Sequence, residues 1–295
     1  MDPDRGTVGG GIDLPEALAL AVQLAQQAGM VLAEAQQAPE RLGTSSKGVR
    51  RELVTVADRA AEHVVVEGLL RRFPDHAVLA EEGALTKAGI ASGESAHCWI
   101  VDPLDGTTNF VHGLPVYSVS IGLAHRGAVV LGVVHAPALG LTFAAARGLG
   151  ATRNGAPIRC STTADLADAL LATGFAYRRN EPGRDDNTTR FRRALMACRD
   201  VRRLGSAALD LCLVAAGSFD GYWELDLSPY DVAAGACIVQ EAGGTVTDLG
   251  GGTNWLFGGS ILAANRNLHG TLRRAVGELG DPTSGQRGPT GAHDP

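Results

Sequence analysis

The chain has 295 residues, with 26 Lys plus Arg against 32 Asp plus Glu, a formal net charge of −6. Hydrophobic residues make up 45% and charged residues 20%, which suits a globular protein with a real core and excludes a wholly disordered chain or a basic nucleic-acid coat. The 39 glycines follow no G-X-Y period, so a collagen-like chain is excluded too, and the internal ones mark tight turns or close backbone approach.

Residues 1–12 contain GTVGGG (Gly6–Gly11) and predict a flexible N-terminus. Asp13 suits an N-cap and Pro15 a first turn, so the Ala-, Leu- and Gln-rich run to Gln37 predicts a helix. Glu16, Gln23, Gln26, Gln27 and Glu34 interrupt that run, so no membrane span is expected. A loop with Gly43, Lys47 and Gly48 follows, then a short extended LVTV (Leu53–Val56). Ala60, Val64, Gly68 and Leu69 share one side of a helix predicted over 57–72 and ended at Phe73-Pro74. AVLA (Ala77–Ala80) and CWIV (Cys98–Val101) predict buried strands. YSVSIGLA (Tyr117–Ala124) and AVVLGVVH (Ala128–His135) predict a hairpin turning at Arg126-Gly127, with a third strand over 141–145.

The second half alternates. A strand is expected over 169–173, helices over 188–198 and 206–216, and a strand over 221–225. A helix over 231–242 ends at Gly243-Gly244; short strands over 244–247 and 261–264 and a closing helix over 268–279 follow. Residues 13–160 thus form an α+β half with an antiparallel sheet, residues 161–280 an α/β half, and residues 281–295 a disordered tail. Five scattered cysteines without a CxxC pair argue against a disulfide framework and for free thiols in a reducing cytoplasm. The acidic MDPDRG start leads to no signal-like apolar core, which also predicts a cytoplasmic protein.

The chemistry concentrates in WIVDPLDGTTNFVHGLP (Trp99–Pro115). A buried apolar run ends in Asp102 and Asp105, and two carboxylates there are costly unless a positive charge joins them. No Lys or Arg lies between Lys87 and Arg126, so a divalent cation is the economical partner. Gly106, Thr107 and Thr108 then offer backbone N–H groups in a tight turn, suited to an anion. Metal ligands followed by an anion nest imply a phosphate held against metal. Glu81-Glu82, Asp58 and Asp231 add acids at strand ends or helix starts; alone, Asp58 and Asp231 read as helix caps, and only the set argues for metal.

LVTVAD (Leu53–Asp58), AEEG (Ala80–Gly83), DPLDGTTNF (Asp102–Phe110) and PYDVAAG (Pro229–Gly235) resemble the inositol monophosphatase family, in order along the chain. These are magnesium-dependent, lithium-sensitive phosphatases, a group that includes fructose-bisphosphatase-like enzymes. The resemblance implies an α/β (α+β) fold, a layered αβαβα sandwich with the metal cleft between halves, and a homodimer. It implies two to three Mg2+ ions. Glu81, Asp102 and the carbonyl of Leu104 would hold one, and Asp102, Asp105 and Asp231 another. Glu82 and Asp58 would be supporting acids, and Glu81 would touch a third, weaker site. Thr107 with Asp58 would orient and deprotonate the attacking water, with Gly106 and Thr107 N–H groups on phosphate oxygens; one cation activates water and another stabilises the leaving oxygen. Glu224, Gly205 and Ser206 would line the leaving-group pocket, and Lys47 matches a loop lysine near the metals. Tyr230 stands where the family commonly has Trp, and LDLS (Leu225–Ser228) matches no single substrate, so substrate choice stays open.

His112 follows the metal loop and reads as structural. Arg178–Arg203 carries nine Arg against four acids. It reads first as a solvated helix face, then as an electropositive rim for phosphate esters, and third as a contact for RNA or protein. An aspartyl-phosphate mechanism needs its two acids two residues apart; Asp102 and Asp105 are three apart, which favours water as nucleophile. Inositol 1-phosphate is the first substrate expected, an amino-alcohol phosphate such as histidinol phosphate the second, and fructose 1,6-bisphosphate and nucleotide 3′-phosphates follow. A transcription-complex accessory role, known for some bacterial members of the family, is the non-enzymatic rival, with nucleic acid or transcription machinery as a partner not favoured.

Overall fold

The computed structural model describes residues 7–8, 12–38, 45–46, 53–83 and 96–277. Strand β1 (Thr7–Val8) pairs with β2 (Ile12–Asp13) just before helix α1 (Leu14–Gln36). Asp13 caps α1 by accepting from Glu16 N at 3.1 Å, and Pro15 occupies its first turn. By length and hydropathy α1 is apolar enough to cross a membrane. Its buried residues, Leu14, Ala17, Ala21, Leu24, Ala25, Ala28 and Leu32, instead make a stripe against the core.

Strand β3 (Ser45–Ser46) pairs with β4 (Leu53–Val54), and helix α2 (Val56–Arg72) follows. The extended LVTV segment stops at Val54, because Thr55 is the N-cap and Val56 is already helical. Strands β5 (Ala77–Ala80), β6 (His97–Asp105), β7 (Ser118–His125), β8 (Ala128–Ala136), β9 (Leu141–Ala146), β10 (Gly150–Arg153) and β11 (Ala156–Pro157) make one seven-stranded sheet. Its order is β11-β10-β9-β8-β7-β6-β5. A short helix, α3 (Thr107–Val111), joins β6 to β7. The sheet is antiparallel except for β5 and β6, which run parallel. The long connection from 81 to 96 allows this crossover, whereas a tight hairpin would not.

The second sheet is built from β12 (Leu170–Thr173), β13 (Asp200–Arg202), β14 (Gly221–Leu225), β15 (Thr245–Thr247) and β16 (Ser260–Ala264), in the order β13-β12-β14-β16-β15. Helices α4 (Thr188–Ala197), α5 (Ala207–Ala215), α6 (Pro229–Glu241) and α7 (His269–Val276) intervene. The helix expected over 231–242 begins two residues earlier, since Pro229 fits a first turn and Ser228 with Asp231 forms a capping box. Helices α1 and α2 cover one face of the large sheet, α5 and α6 lie between the sheets, and α4 and α7 cover the far face of the smaller one. The layers are therefore αβαβα, as the resemblance implied.

Glycine sets how closely the middle layer approaches. A Cβ at Gly132 on β8 would lie 2.3 Å from the carbonyl oxygen of Ala234 on α6. That neighbour is backbone and cannot swing aside. Gly132→Ala is expected to destabilise the protein by about 2 kcal/mol or more, read as a lower denaturation midpoint; an unchanged midpoint would show that the α6 layer slides freely on the sheet.

Candidate active site

Strand β6 is buried along its whole length and ends in Asp102-Pro103-Leu104-Asp105. In a regular strand, residues three apart point to opposite faces. Here Asp102 pairs with Ser120 and Asp105 with Ser118, so three steps on β6 face two on β7. The extra residue is a bulge, and it returns Asp105 to the same side as Asp102. Pro103 sits inside the bulge, where a missing N–H is tolerated. Asp231 reaches the same place from the first turn of α6, where its Oδ2 accepts from Ser228 N at 2.6 Å. Ligand oxygens of Asp102, Asp105 and Asp231 lie within 4.8 Å of one another.

The electrostatics of this trio are unfavourable without a counter-charge. Asp102 is 1% exposed. Burial drives its carboxyl well above the usual range, and Glu81, Asp105 and Asp231 push it further. Asp231 is raised by burial, then by Asp105 and Glu81. Asp105 is pushed up to about 6 by burial, against the pull of bonds from Ser206, Ala208 and Ala207. Among the described residues none of the three has an ion pair with Lys or Arg. Three hard oxygen donors, closely grouped and lacking a cation from the protein, fit a divalent ion such as magnesium. Glu81 lines the same cleft.

Asp58 serves two neighbours with its two oxygens. Oδ2 accepts from Thr55 N at 2.9 Å and from the Thr55 hydroxyl, closing the cap of α2. Oδ1 faces Thr107 Oγ1 at 3.5 Å. Burial raises the Asp58 carboxyl, while the Thr55 bonds pull it back. Thr107 Oγ1 is also 3.0 Å from the carbonyl oxygen of Leu104, so its single proton has two acceptors. Gly106 just before it holds φ +95°, a left-handed conformation that puts the Thr107 turn over the carboxylates. Thr108 stands in α3 and is bonded by Tyr177. Glu82 donates its N–H at 2.8 Å to Glu62 Oε2; Glu62 is fully buried, and sequence reading did not single it out.

The cleft continues into the second half, past Gly205, Ser206, Glu224 and Tyr230. The Tyr222 hydroxyl donates to Glu224 Oε2 at 2.5 Å. Burial pushes Glu224 up to about 7, against the Tyr222 bond and the nearby charge of Arg203. A Cβ on Gly174 would overlap the Glu224 carboxylate, 2.0 Å from Oε2, so any side chain there would displace that carboxylate. Arg203, the last residue of the Arg-rich segment, lines the cleft. Two further residues were missed. Asp210 on α5 is buried, with one oxygen lacking a partner. Asn109 ties two loops together. Of these two only Asn109 carried a signal, its place in DPLDGTTNF. Lys47 lies outside the described residues.

The Arg-rich segment corrects the solvated-face reading in part. Arg190 is buried, pairs with Asp185 at 2.8 Å and donates to Gly277 O at 2.7 Å. Arg184, Arg199 and Arg202 are paired at the surface with Asp226, Asp168 and Asp200. What is left facing the cleft is Arg203.

An αβαβα sandwich with clustered carboxylates at the cleft between its sheets defines a class of layered scaffold with a site able to hold a cation. Comparison with known proteins narrows it. The sequence pattern of the inositol monophosphatase family matches residues 13–281, and the chain belongs to that family of phosphatases. It is 47% identical over 230 residues to an inositol-1-monophosphatase of Synechocystis, covering 78% of each chain. It is 41% identical over 252 residues to a Nus factor SuhB of Vibrio cholerae, covering 84% of this chain and 91% of the relative. The solved inositol monophosphatase of Anabaena superposes with a TM-score of 0.79 at 41% identity, covering 90% of this chain and 96% of that one.

Proposed function

We propose that the chain is a magnesium-dependent phosphomonoesterase acting first on inositol 1-phosphate. The observation that carries this reading is the gathering of Asp102, Asp105 and Asp231 within 4.8 Å, with Asp105, Asp231, Gly106 and Thr107 lining one cleft. When bound, the cations supply polarisation of water and phosphate and offset charge on the leaving oxygen. Asp102, Asp105 and Asp231 would hold them, with Glu81 and the Leu104 carbonyl beside. Thr107 takes the proton of the attacking water at Oγ1 and passes its own to Asp58 Oδ1, whose raised affinity for a proton suits a base. The N–H groups of Gly106 and Thr107 hold phosphate oxygens. Glu224, kept in place by Tyr222, accepts hydrogen bonds from ring hydroxyls of the leaving group.

The test is a phosphate-release panel of inositol 1-phosphate, histidinol phosphate, fructose 1,6-bisphosphate and a nucleotide 3′-phosphate, compared by kcat/KM. We expect inositol 1-phosphate to lead, turnover to need magnesium, and lithium to inhibit. Turnover in excess chelator would defeat the cation reading, and a lead for histidinol phosphate would move the assignment to amino alcohols. The relatives named Nus factor favour a second reading, an accessory role in transcription. It would use the surface and not the carboxylates, so a transcription effect that survives Asp102→Asn while turnover is lost would support it.

A further inference from the structure

Two loops far apart in sequence are fastened together at the floor of the cleft. Asp105 accepts from Ser206 Oγ at 2.5 Å, Ala208 N at 2.8 Å and Ala207 N at 3.3 Å. Those N–H groups open helix α5, whose own N-cap, Ser206, makes no side-chain bond to it. The cap of α5 is thus supplied by an acid 101 residues earlier in the chain. Asn109 works in the opposite sense. Its Nδ2 donates to Val116 O at 2.7 Å and to Leu204 O at 2.8 Å, with Gly205 O at 3.4 Å. An amide has two N–H donors, so the two short bonds use both. Asn109 is 7% exposed, so the carbonyls it serves would lose their donor out of reach of bulk water.

The segment between these fastenings, Leu204 to Ser206, therefore has carbonyls pulled by an amide and donors pulled by a carboxylate. Gly205 within it holds φ +90°, and a Cβ on Gly106 would lie 3.1 Å from its carbonyl oxygen. The two turns touch backbone to backbone. Gly205 and Ser206 also form a wall of the cleft.

We propose that Asn109 is a positioning residue that couples cation binding at Asp105 to recognition of the leaving group, by holding the Leu204–Ser206 wall where it serves both. Asn109 itself does not line the cleft. Its loss frees the wall, so Asp105 keeps its donors for less of the time and is presented less sharply to a cation. The same freedom blurs the surface that a polyol ring meets. A small ester without a ring to seat does not depend on that surface. The substrate half of this coupling rests on the phosphatase reading; the cation half does not.

The test compares Asn109→Ala, Asn109→Leu, which keeps the volume without donors, and Asn109→Ser, which keeps one donor. Magnesium and manganese are titrated by calorimetry without substrate, and kcat and KM are measured at saturating magnesium for inositol 1-phosphate and p-nitrophenyl phosphate. The cation Kd should weaken roughly fivefold to tenfold in the Ala and Leu variants and less in the Ser variant. KM for inositol 1-phosphate should rise by a similar factor, with kcat and the p-nitrophenyl phosphate KM within about threefold of the parent. Combining Asn109→Ala with Ser206→Ala should give less than the product of the single effects on cation Kd. A Leu variant that binds cation like the parent would reduce Asn109 to a space-filler. Equal losses on both esters would mean general damage, and both results overturn the proposal. If the parent hydrolyses no ester, the phosphatase reading fails, while the calorimetry still decides the link to Asp105. Should the Ala and Leu variants not fold, the Ser variant carries the same comparison.

Discussion

Asp102→Asn is expected to lower kcat by roughly a thousandfold or more and to remove the stabilisation that magnesium gives the protein. The substitution is close to isosteric. Asp102 Oδ1 accepts from Leu104 N at 2.9 Å, and an amide oxygen can keep that bond, so the bulge survives. What disappears is one negative charge among carboxylates that crowd each other in the dark of the core. Removing it relieves repulsion, so the cation-free variant should be more stable than the parent, by about 1–3 kcal/mol. The combined signature is a firmer fold, no turnover and a melting temperature indifferent to magnesium. Simple misfolding gives a softer protein and cannot mimic it. Turnover within tenfold of the parent, or a magnesium response left intact, would remove Asp102 from the cation site.

Much of this centre could be read before folding, for a definite reason. Asp102 and Asp105 break an apolar run, and a carboxylate has no cheap place at the end of a buried strand. Their convergence could not be read. A spacing of three puts them on opposite faces of a strand, and only the bulge against Ser120 and Ser118 reverses that. Asp58 and Asp231 were ambiguous between cap and ligand; both close helix caps in the structure, Asp231 also joins the carboxylate group within 4.8 Å, and the second oxygen of Asp58 faces Thr107. Asp210 and Glu62 were invisible because their neighbours lie far off in sequence and each alone resembles an ordinary surface charge, whereas Arg203 was legible only as one member of the Arg-rich segment.

The fold shows the same division. Long amphipathic or apolar segments such as α1 and β6 through β9 declare themselves by pattern. Strands β10, β11 and β13 are two to four residues long, and β13 is the polar Asp200–Arg202. They exist through pairing with a neighbour, which no local pattern encodes. The parallel β5–β6 pair depends in turn on a long connection whose path the residues of the strands do not specify.

The strongest dependence on conditions should be that of cation-free protein on pH. Asp105 is raised to about 6 and Glu224 to about 7, and Asp102 and Asp231 are raised as well, all chiefly by burial. A carboxyl with a raised folded value binds a proton in the native state that the unfolded chain has already released near pH 4. Stability then falls as pH rises from about 4 through about 6 to 7, because the native state is forced to ionise acids it prefers neutral. Asp105 alone, moved by about 2 units, corresponds to roughly 3 kcal/mol, and the neighbouring acids titrate with it, so their effects do not simply add. His97 and His125, lowered by burial, act in the other direction below about 6.5 and limit the gain from acid. In chelator, melting temperature should therefore peak in mildly acid buffer and decline toward pH 8. On the proposed reading magnesium binds the ionised carboxylates, so its stabilising effect should be small near pH 5 and largest near pH 8, where it reverses the decline. Asp105→Asn should flatten the chelator profile and weaken the magnesium effect together. A profile flat in chelator, or a magnesium effect of equal size at pH 5 and pH 8, would mean that the buried acids are neutralised by something other than a bound cation.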